Sequence, residues 1–225
     1  MVEDVEPLVR LAADARTGAA RAVDVDAALD GARVVGTVSQ VYGMAADREE
    51  GVLVRVEYSR IAPKHRLRAW VELLAVTAAW PQRPWRAVTL GRGTHSGMLR
   101  STLGPVDPGR AAGLLAGIVA LHRHGLREPL PLATSTSYAY ATGRVSGGSQ
   151  ADGRARAAQE WARDRAGRDD AGHRLVWGPA APFDTLLAQP PRPDEPGPPD
   201  ESTRFGALAS ALWAPLFAAE TVEHL

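Results

Sequence analysis

The hydrophobic pattern changes period twice between Val34 and Ala79, and the rest of the chain can be placed around that stretch. The runs V-V-G-T-V and V-L-V-R-V-E-Y are β-branched and partly alternating, which predicts two strands. Leu67, Trp70, Val71, Leu74 and Ala78 then recur at spacings of three and four, which predicts a helix. Upstream, Val5, Leu8, Val9 and Ala12 predict a helix from Val2 to about Ala15. Val23, Val25, Ala27 and Leu29 alternate with Asp24 and Asp26. Asp30-Gly31 is a two-residue hairpin signal, so Ala22–Leu29 should pair antiparallel with Arg33–Tyr42. Gly43–Gly51 reads as a polar turn and Val52–Tyr58 as the third strand. Pro81–Pro84 breaks the chain before a fourth strand, Trp85–Leu90. Asp107-Pro108 supplies an N-cap acid and a proline at the first helical position. The helix they open carries Leu114, Leu115, Ile118, Val119 and Leu121, and Gly125 closes it. The predicted order is helix, three antiparallel strands, helix, strand, helix: an α/β fold with a mixed sheet.

Beyond Pro129–Pro131 the pattern is weaker. Thr134–Gln150 is rich in Ser, Thr and Gly and predicts a short helix or an ordered loop. Ala151–Ala166 alternates in charge and predicts an exposed helix anchored by Trp161. Short apolar runs follow in His173–Gly178 and Phe183–Leu187. Gln189–Ser202 is proline-rich and predicts an extended, mobile linker. Phe205, Leu208, Leu212, Trp213 and Leu216 line a last helix, Phe205–Ala219, which must dock because an isolated helix of that length is marginal in water. The expected divisions are a core over 1–132, an extension over 133–188, a linker over 189–202 and a docking helix over 203–225.

Composition narrows the function classes. Twenty-six basic residues balance 26 acidic ones, so any nucleic-acid contact must come from a local patch. Without cysteine there is no disulfide frame, zinc-thiolate site or thiol nucleophile, which fits a reducing cytoplasm. The acidic N-terminus lacks an apolar signal region, and no apolar run is long enough to span a membrane. There is no G-x-x-x-x-G-K-[ST] loop for a nucleotide. The densest basic cluster is Arg60, Lys64, His65, Arg66 and Arg68, at the start of a predicted helix, where backbone N–H groups also favour anions. It suits phosphate, or the acidic face of a partner protein. Arg92, His95 and Arg100 lie in a glycine-rich stretch, read as a surface loop with a possible phosphate contact. His122 and His124 cannot share a helix face and are read as compensating the C-terminal dipole.

Strand, strand, helix is also the order of a nuclease core of the PD-(D/E)xK class. Such nucleases carry Asp late in one strand and (D/E)-x-K on the next; the carboxylates hold Mg²⁺ and the Lys adds positive charge. The RecB-like branch commonly reads G-x-[IV]-D-R and then D-Y-K. Here Gly36-Thr37-Val38-Ser39-Gln40 stands at the first place and Glu57-Tyr58-Ser59 at the second. Ser39 replaces the Asp, Ser59 replaces the Lys, and Glu57 alone keeps its type. Glu57 reads either as a remnant of a metal site or as an edge carboxylate paired with a nearby Arg.

The stretches VRVEYSRIAPKHRLRAWVELLAVTAA, STLGPVDPGRAAGLLAGIVALHRHGLREPLPL and STRFGALASALWAPLFAAE resemble the C-terminal domain of the RecC family, the gamma subunit of exodeoxyribonuclease V. The resemblance covers nearly the whole chain and is strongest from Ala22 to Leu132. It implies a portion of a longer protein with a degenerate PD-(D/E)xK fold and no nuclease activity of its own, needing no cofactor and no metal. It further implies RecB-like and RecD-like partner subunits, DNA as duplex ends and separated strands, and no membrane. Arg60, Lys64, His65, Arg66 and Arg68 are the residues expected to meet DNA. Two other readings stay open. One is an active, rewired nuclease using Glu57 with Asp24 or Asp26, and Lys64 as the cation. The other is a pure protein-interaction scaffold.

Overall fold

The computed structural model describes residues 5–44, 50–93, 97–145, 147–163, 171–178 and 180–225. The chain divides into two compact units: residues 1–116 with 218–225, and residues 117–217. Among the described residues there are six strands and eight helices. Much of the Gly43–Gly51 turn, the start of the first predicted helix, His95 and the end of the predicted Ala151–Ala166 helix lie outside the described residues.

The first unit is a mixed α/β fold. In order it contains α1 (Glu6–Ala15), β1 (Arg21–Leu29), β2 (Ala32–Tyr42), β3 (Gly51–Arg60), α2 (Pro63–Ala79), β4 (Trp85–Arg92) and β5 (Met98–Leu103), with β6 (Glu220–His224) contributed much later. α3 (Pro108–Gly125) begins in this unit and ends in the other. The six strands form one sheet in sequence order. The Asp30-Gly31 turn is present, with Gly31 at φ +69°, and pairs Leu29 with Ala32. Val23, Val25 and Ala27 are buried while Asp24 and Asp26 are exposed, as strand alternation requires. β3 and β4 run parallel, joined by α2 as the crossover, and every other strand pair is antiparallel.

Two strands were not predicted. Met98–Leu103 falls in the stretch read as a loop, although Leu99, Ser101 and Leu103 alternate inward. Glu220–His224 was read as the end of the last helix and instead pairs with β5 at the sheet edge. α2 is also buried over a wider arc than its predicted stripe. Ala69, Leu73 and Val76 join Trp70 and Leu74 in the core, because the helix packs on several strands, chiefly β1 and β4. No helix among the described residues is long and apolar enough to cross a membrane.

The second unit is helical. It holds α4 (Thr134–Val145), α5 (Gln150–Arg163), α6 (Ala171–Trp177), α7 (Asp184–Leu187) and most of α8 (Arg204–Ala219). Its core gathers Tyr140, Ala157, Trp161, Leu186, Phe205 and Ala209. The proline-rich segment 189–202 carries no regular structure, but two of its carboxylates are buried. Glu201 accepts from Tyr140 Oη at 2.5 Å, Arg144 Nε at 2.9 Å and Ser210 Oγ at 2.9 Å. Glu195 receives the buried Arg204 guanidinium, whose Nη1 also reaches Gln189 Oε1 at 2.9 Å. Each buried charge is therefore paired and hydrogen-bonded, as burial requires.

Candidate functional site

Both strand segments matched to the nuclease motif sit on irregular backbone. On β2 the register against β1 slips between Arg21 and Val23, adding one residue where Ser39 and Gln40 lie. Gln40 has φ +60°, and its Oε1 accepts from Tyr42 Oη at 2.9 Å. On β3 the register against β4 slips between Val56 and Arg60, so Glu57, Tyr58 and Ser59 face Gly91 alone. The strands close tightly there. A Cβ on Gly91 would lie 2.8 Å from Ile61 Cγ1 and 3.0 Å from the carbonyl oxygens of Glu57 and Ser59. Bulges of this kind re-aim side chains and end pairing.

An arginine that sequence reasoning passed over dominates the space beside β3. Arg55 Nη1 donates to the Ser39 carbonyl at 3.0 Å. Its Nε and Nη2 donate to Glu72 Oε2 on α2 at 3.0 and 2.8 Å. The Arg55 and Glu72 side chains are 12% and 18% exposed. Arg68, one helical turn before Glu72, adds a contact to Oε1 at 3.1 Å. Glu57 faces His65, with Oε2 to Nε2 at 3.8 Å. The Ala62 N–H donates to His65 Nδ1 at 3.1 Å, which closes the start of α2 and leaves the ring proton on Nε2, toward Glu57.

These residues do not fit a divalent cation. Mg²⁺ is held through carboxylate oxygens, and Glu57 is the one carboxylate at the motif positions. The carboxylate that α2 brings to β3, Glu72, is already shared between two guanidinium groups. Asp24 and Asp26 stand on the exposed face of β1. Asp24 accepts from Thr37 Oγ1 at 2.9 Å, and Asp26 from Arg33 Nε at 2.7 Å. The Arg33 hydrogen bond holds the Asp26 carboxyl below its ordinary pKa. Among the described residues, three possible metal ligands converge only at His124, Glu128 and Glu195 in the helical unit. There Arg204 binds both carboxylates, so their charge is already matched.

The predicted basic cluster is divided by the fold. Arg66 Nη1 bonds Glu220 Oε2 at 2.8 Å, with the two side chains 11% and 4% exposed. Ser101 Oγ donates to the same carboxylate. Arg68 is spent on Glu72 and His65 on the helix start. Arg60 and Lys64 remain exposed and form no side-chain ion pair among the described residues. Arg92, read as part of a surface loop, instead ends β4, where it is exposed and is the register partner of Arg60. The signal that could have found it is the parallel pairing that α2 imposes on β3 and β4. Arg100 is elsewhere, with Nη1 3.5 Å from Glu223 Oε2.

Comparison with known proteins shows the family. The family model of the RecC C-terminal domain matches residues 1–144. The chain belongs to the RecC C-terminal domain family. The RecBCD enzyme subunit RecC of Mycobacterium tuberculosis is 42% identical over 209 residues, covering 91% of this chain. That of Mycolicibacterium smegmatis is 41% identical over 203 residues, covering 89%. The chain spans 18% of the length of these RecC relatives. The family model ends within α4, whereas the RecC likeness covers most of the chain, the helical unit included.

Proposed function

We propose that the chain is a non-catalytic, nuclease-like domain of a RecC-like subunit. It serves as scaffold and DNA-strand guide in an ATP-dependent helicase–nuclease of the cytoplasm that acts in double-strand break repair and recombination. Its partners in this reading are RecB-like and RecD-like subunits and DNA. The observation that carries the reading is the Arg55 guanidinium, tied to the Ser39 carbonyl and to Glu72. A fixed cation lies where a nuclease would need acidic ligands around a metal, and the site decides function, not the fold. Loss of metal ligands and of the charged lysine removes the main source of transition-state stabilisation. Arg60 and Lys64 are the cations left to meet a phosphate backbone.

The test is a nuclease assay on linear single- and double-stranded DNA with Mg²⁺ and then Mn²⁺, comparing the chain with its Glu57→Ala variant. The expected result is no cleavage above the variant with either metal. Cleavage that Glu57→Ala abolishes would establish a rewired nuclease instead. Absence of any salt-dependent DNA affinity, together with tight binding to a RecB-like subunit, would leave a protein scaffold alone.

A further inference from the structure

Around the proline-rich segment of the helical unit, arginines meet carboxylates. Arg144 holds Asp200 and Glu201, Arg192 holds Glu128, and Arg204 holds Glu195 and Glu128. Arg154 on α5 departs from this pattern. It forms no ion pair among the described residues, and its Nε is buried without a hydrogen-bond partner. Its Nη2 donates to a neutral hydroxyl, Ser202 Oγ, at 2.6 Å. Nε and Nη2 form one edge of the guanidinium fork, the edge that grips two oxygens of a carboxylate or phosphate at once. Here one tooth of the fork holds a hydroxyl and the other holds nothing. Asp200 and Glu201, next to Ser202 in sequence, are taken by Arg144. The half-buried Arg154 therefore lacks the anion that its neighbours have.

The hydroxyl that Arg154 holds faces solvent. Ser202 is exposed and ends the irregular segment 189–202. Its Oγ donates to Gln150 Oε1 at 2.5 Å, and Gln150 Nε2 donates to the Asp200 carbonyl at 2.5 Å. Gln150 and Arg154 are one helical turn apart, so Ser202 is a point at which the segment is fastened to α5. We infer that Ser202 is a phosphorylation site and that the Nε–Nη2 edge of Arg154 receives its phosphate. A serine/threonine kinase and ATP supply the group. Ser202 Oγ attacks the γ-phosphorus, the new O–P bond replaces the bond to the bridging oxygen, ADP leaves, and the hydroxyl proton passes to the kinase's base. Glu201 and Thr203 on either side are buried, so the segment lifts locally to enter the kinase. The phosphate then adds a charge of about −1.5 to −2 opposite Arg154 and fastens the segment to α5 more firmly than the hydroxyl does.

The test compares the 225-residue chain with the same chain carrying phosphoserine encoded at position 202, each also as Arg154→Ala and Arg154→Lys. Phosphorus NMR across the titration of the phosphate reads the contact directly. A nearby cation favours the dianion, so the second phosphate pKa should lie about one pH unit lower with Arg154 than with alanine there. Lysine, which keeps the charge and loses the fork, should fall between them. Hydrogen exchange at α5 amides should slow about tenfold on phosphorylation, and this slowing should vanish in Arg154→Ala. Amides of α4 report whether each variant is folded. Phosphate titration that ignores Arg154, or faster exchange on phosphorylation because repulsion from Asp200 and Glu201 wins, would overturn the assignment. Peptide mass spectrometry of the subunit isolated from its own cells in growth and after DNA damage should place phosphate on Ser202. A site that stays unmodified in both overturns it as well.

Discussion

Replacing Glu72 by glutamine tests whether the Arg55 ion pair is a structural element of the first unit. The change preserves the size of the side chain and removes its charge. Glu72 now accepts three N–H donors, two from Arg55 on Oε2 and one from Arg68 on Oε1. In the glutamine variant the amide NH₂ must point at one of the two guanidinium groups, and the Arg55 charge loses its counter-ion. Exposed ion pairs contribute about 0–1 kcal/mol, whereas removing one partner of a buried pair costs about 3–5 kcal/mol. Side chains 12% and 18% exposed lie between these cases, giving a loss of about 2 kcal/mol. Because the chain has two compact units, the appropriate readout is native-state hydrogen exchange of β3 and α2 amides, which reports the first unit by itself. At about 1.4 kcal/mol per tenfold, exchange limited by opening should speed up about 30-fold. Arg68 is 64% exposed, so Arg68→Ala should shift exchange by about twofold at most. A change under about threefold in Glu72→Gln, or an equal effect from Arg68→Ala, would refute the claim that Arg55 is held chiefly by Glu72.

Gly91→Ala should destabilise the first unit by about 2 kcal/mol, since two of the three closest atoms are backbone oxygens that cannot rotate aside. Chemical denaturation read from the first unit's tryptophans checks it, and a neutral result would mean the bulge opens freely. In the helical unit, burial, and secondarily the Glu201 carboxylate it bonds, push the Tyr140 phenol well above its ordinary pKa. The raised value means that the folded state holds this proton more tightly than the unfolded chain. The stability it contributes is complete below about pH 10 and declines as pH rises further. Urea titrations across that range should show the decline in the parent and a smaller one in Tyr140→Phe; equal slopes would contradict it.

Much of the first unit was legible because its signals are local. The Asp30-Gly31 turn sets the hairpin register, and Asp107 caps α3 by accepting the Arg110 N–H at 2.9 Å. The alternation of Val23, Val25 and Ala27 fixed the buried face of β1. What could not be read depends on partners far apart in sequence. Glu220 follows Arg66 by 154 positions, so nothing near the basic cluster revealed that Arg66 was already neutralised. β6 is short and largely polar, and only its pairing with β5 makes it a strand. Arg55 read as one polar residue in a strand, because its meaning comes from Glu72 across the β3–α2 contact. Arg92 was read in a surface loop, and its place opposite Arg60 was missed for a related reason. Their proximity follows from a bulge and a parallel register that periodicity does not encode. The proline-rich stretch was expected to be extended and mobile; its glutamates find their arginines only once the helices around them are assembled.

The placement of β6 has a consequence for how the molecule is made. A ribosome would emit β1 through β5 and then the entire helical unit before Glu220–His224 appears. Until then the edge of β5 carries unpaired backbone groups, an open template for another chain. Arg66 and Ser101 meanwhile wait for a carboxylate that has not been synthesised. The first unit is therefore a discontinuous fold whose last ladder closes a long loop, a contact of high sequence separation of the kind that forms slowly. Nascent chains stalled before Glu220 should engage chaperones or aggregate, while those in which an appended linker carries His224 clear of the ribosome should not.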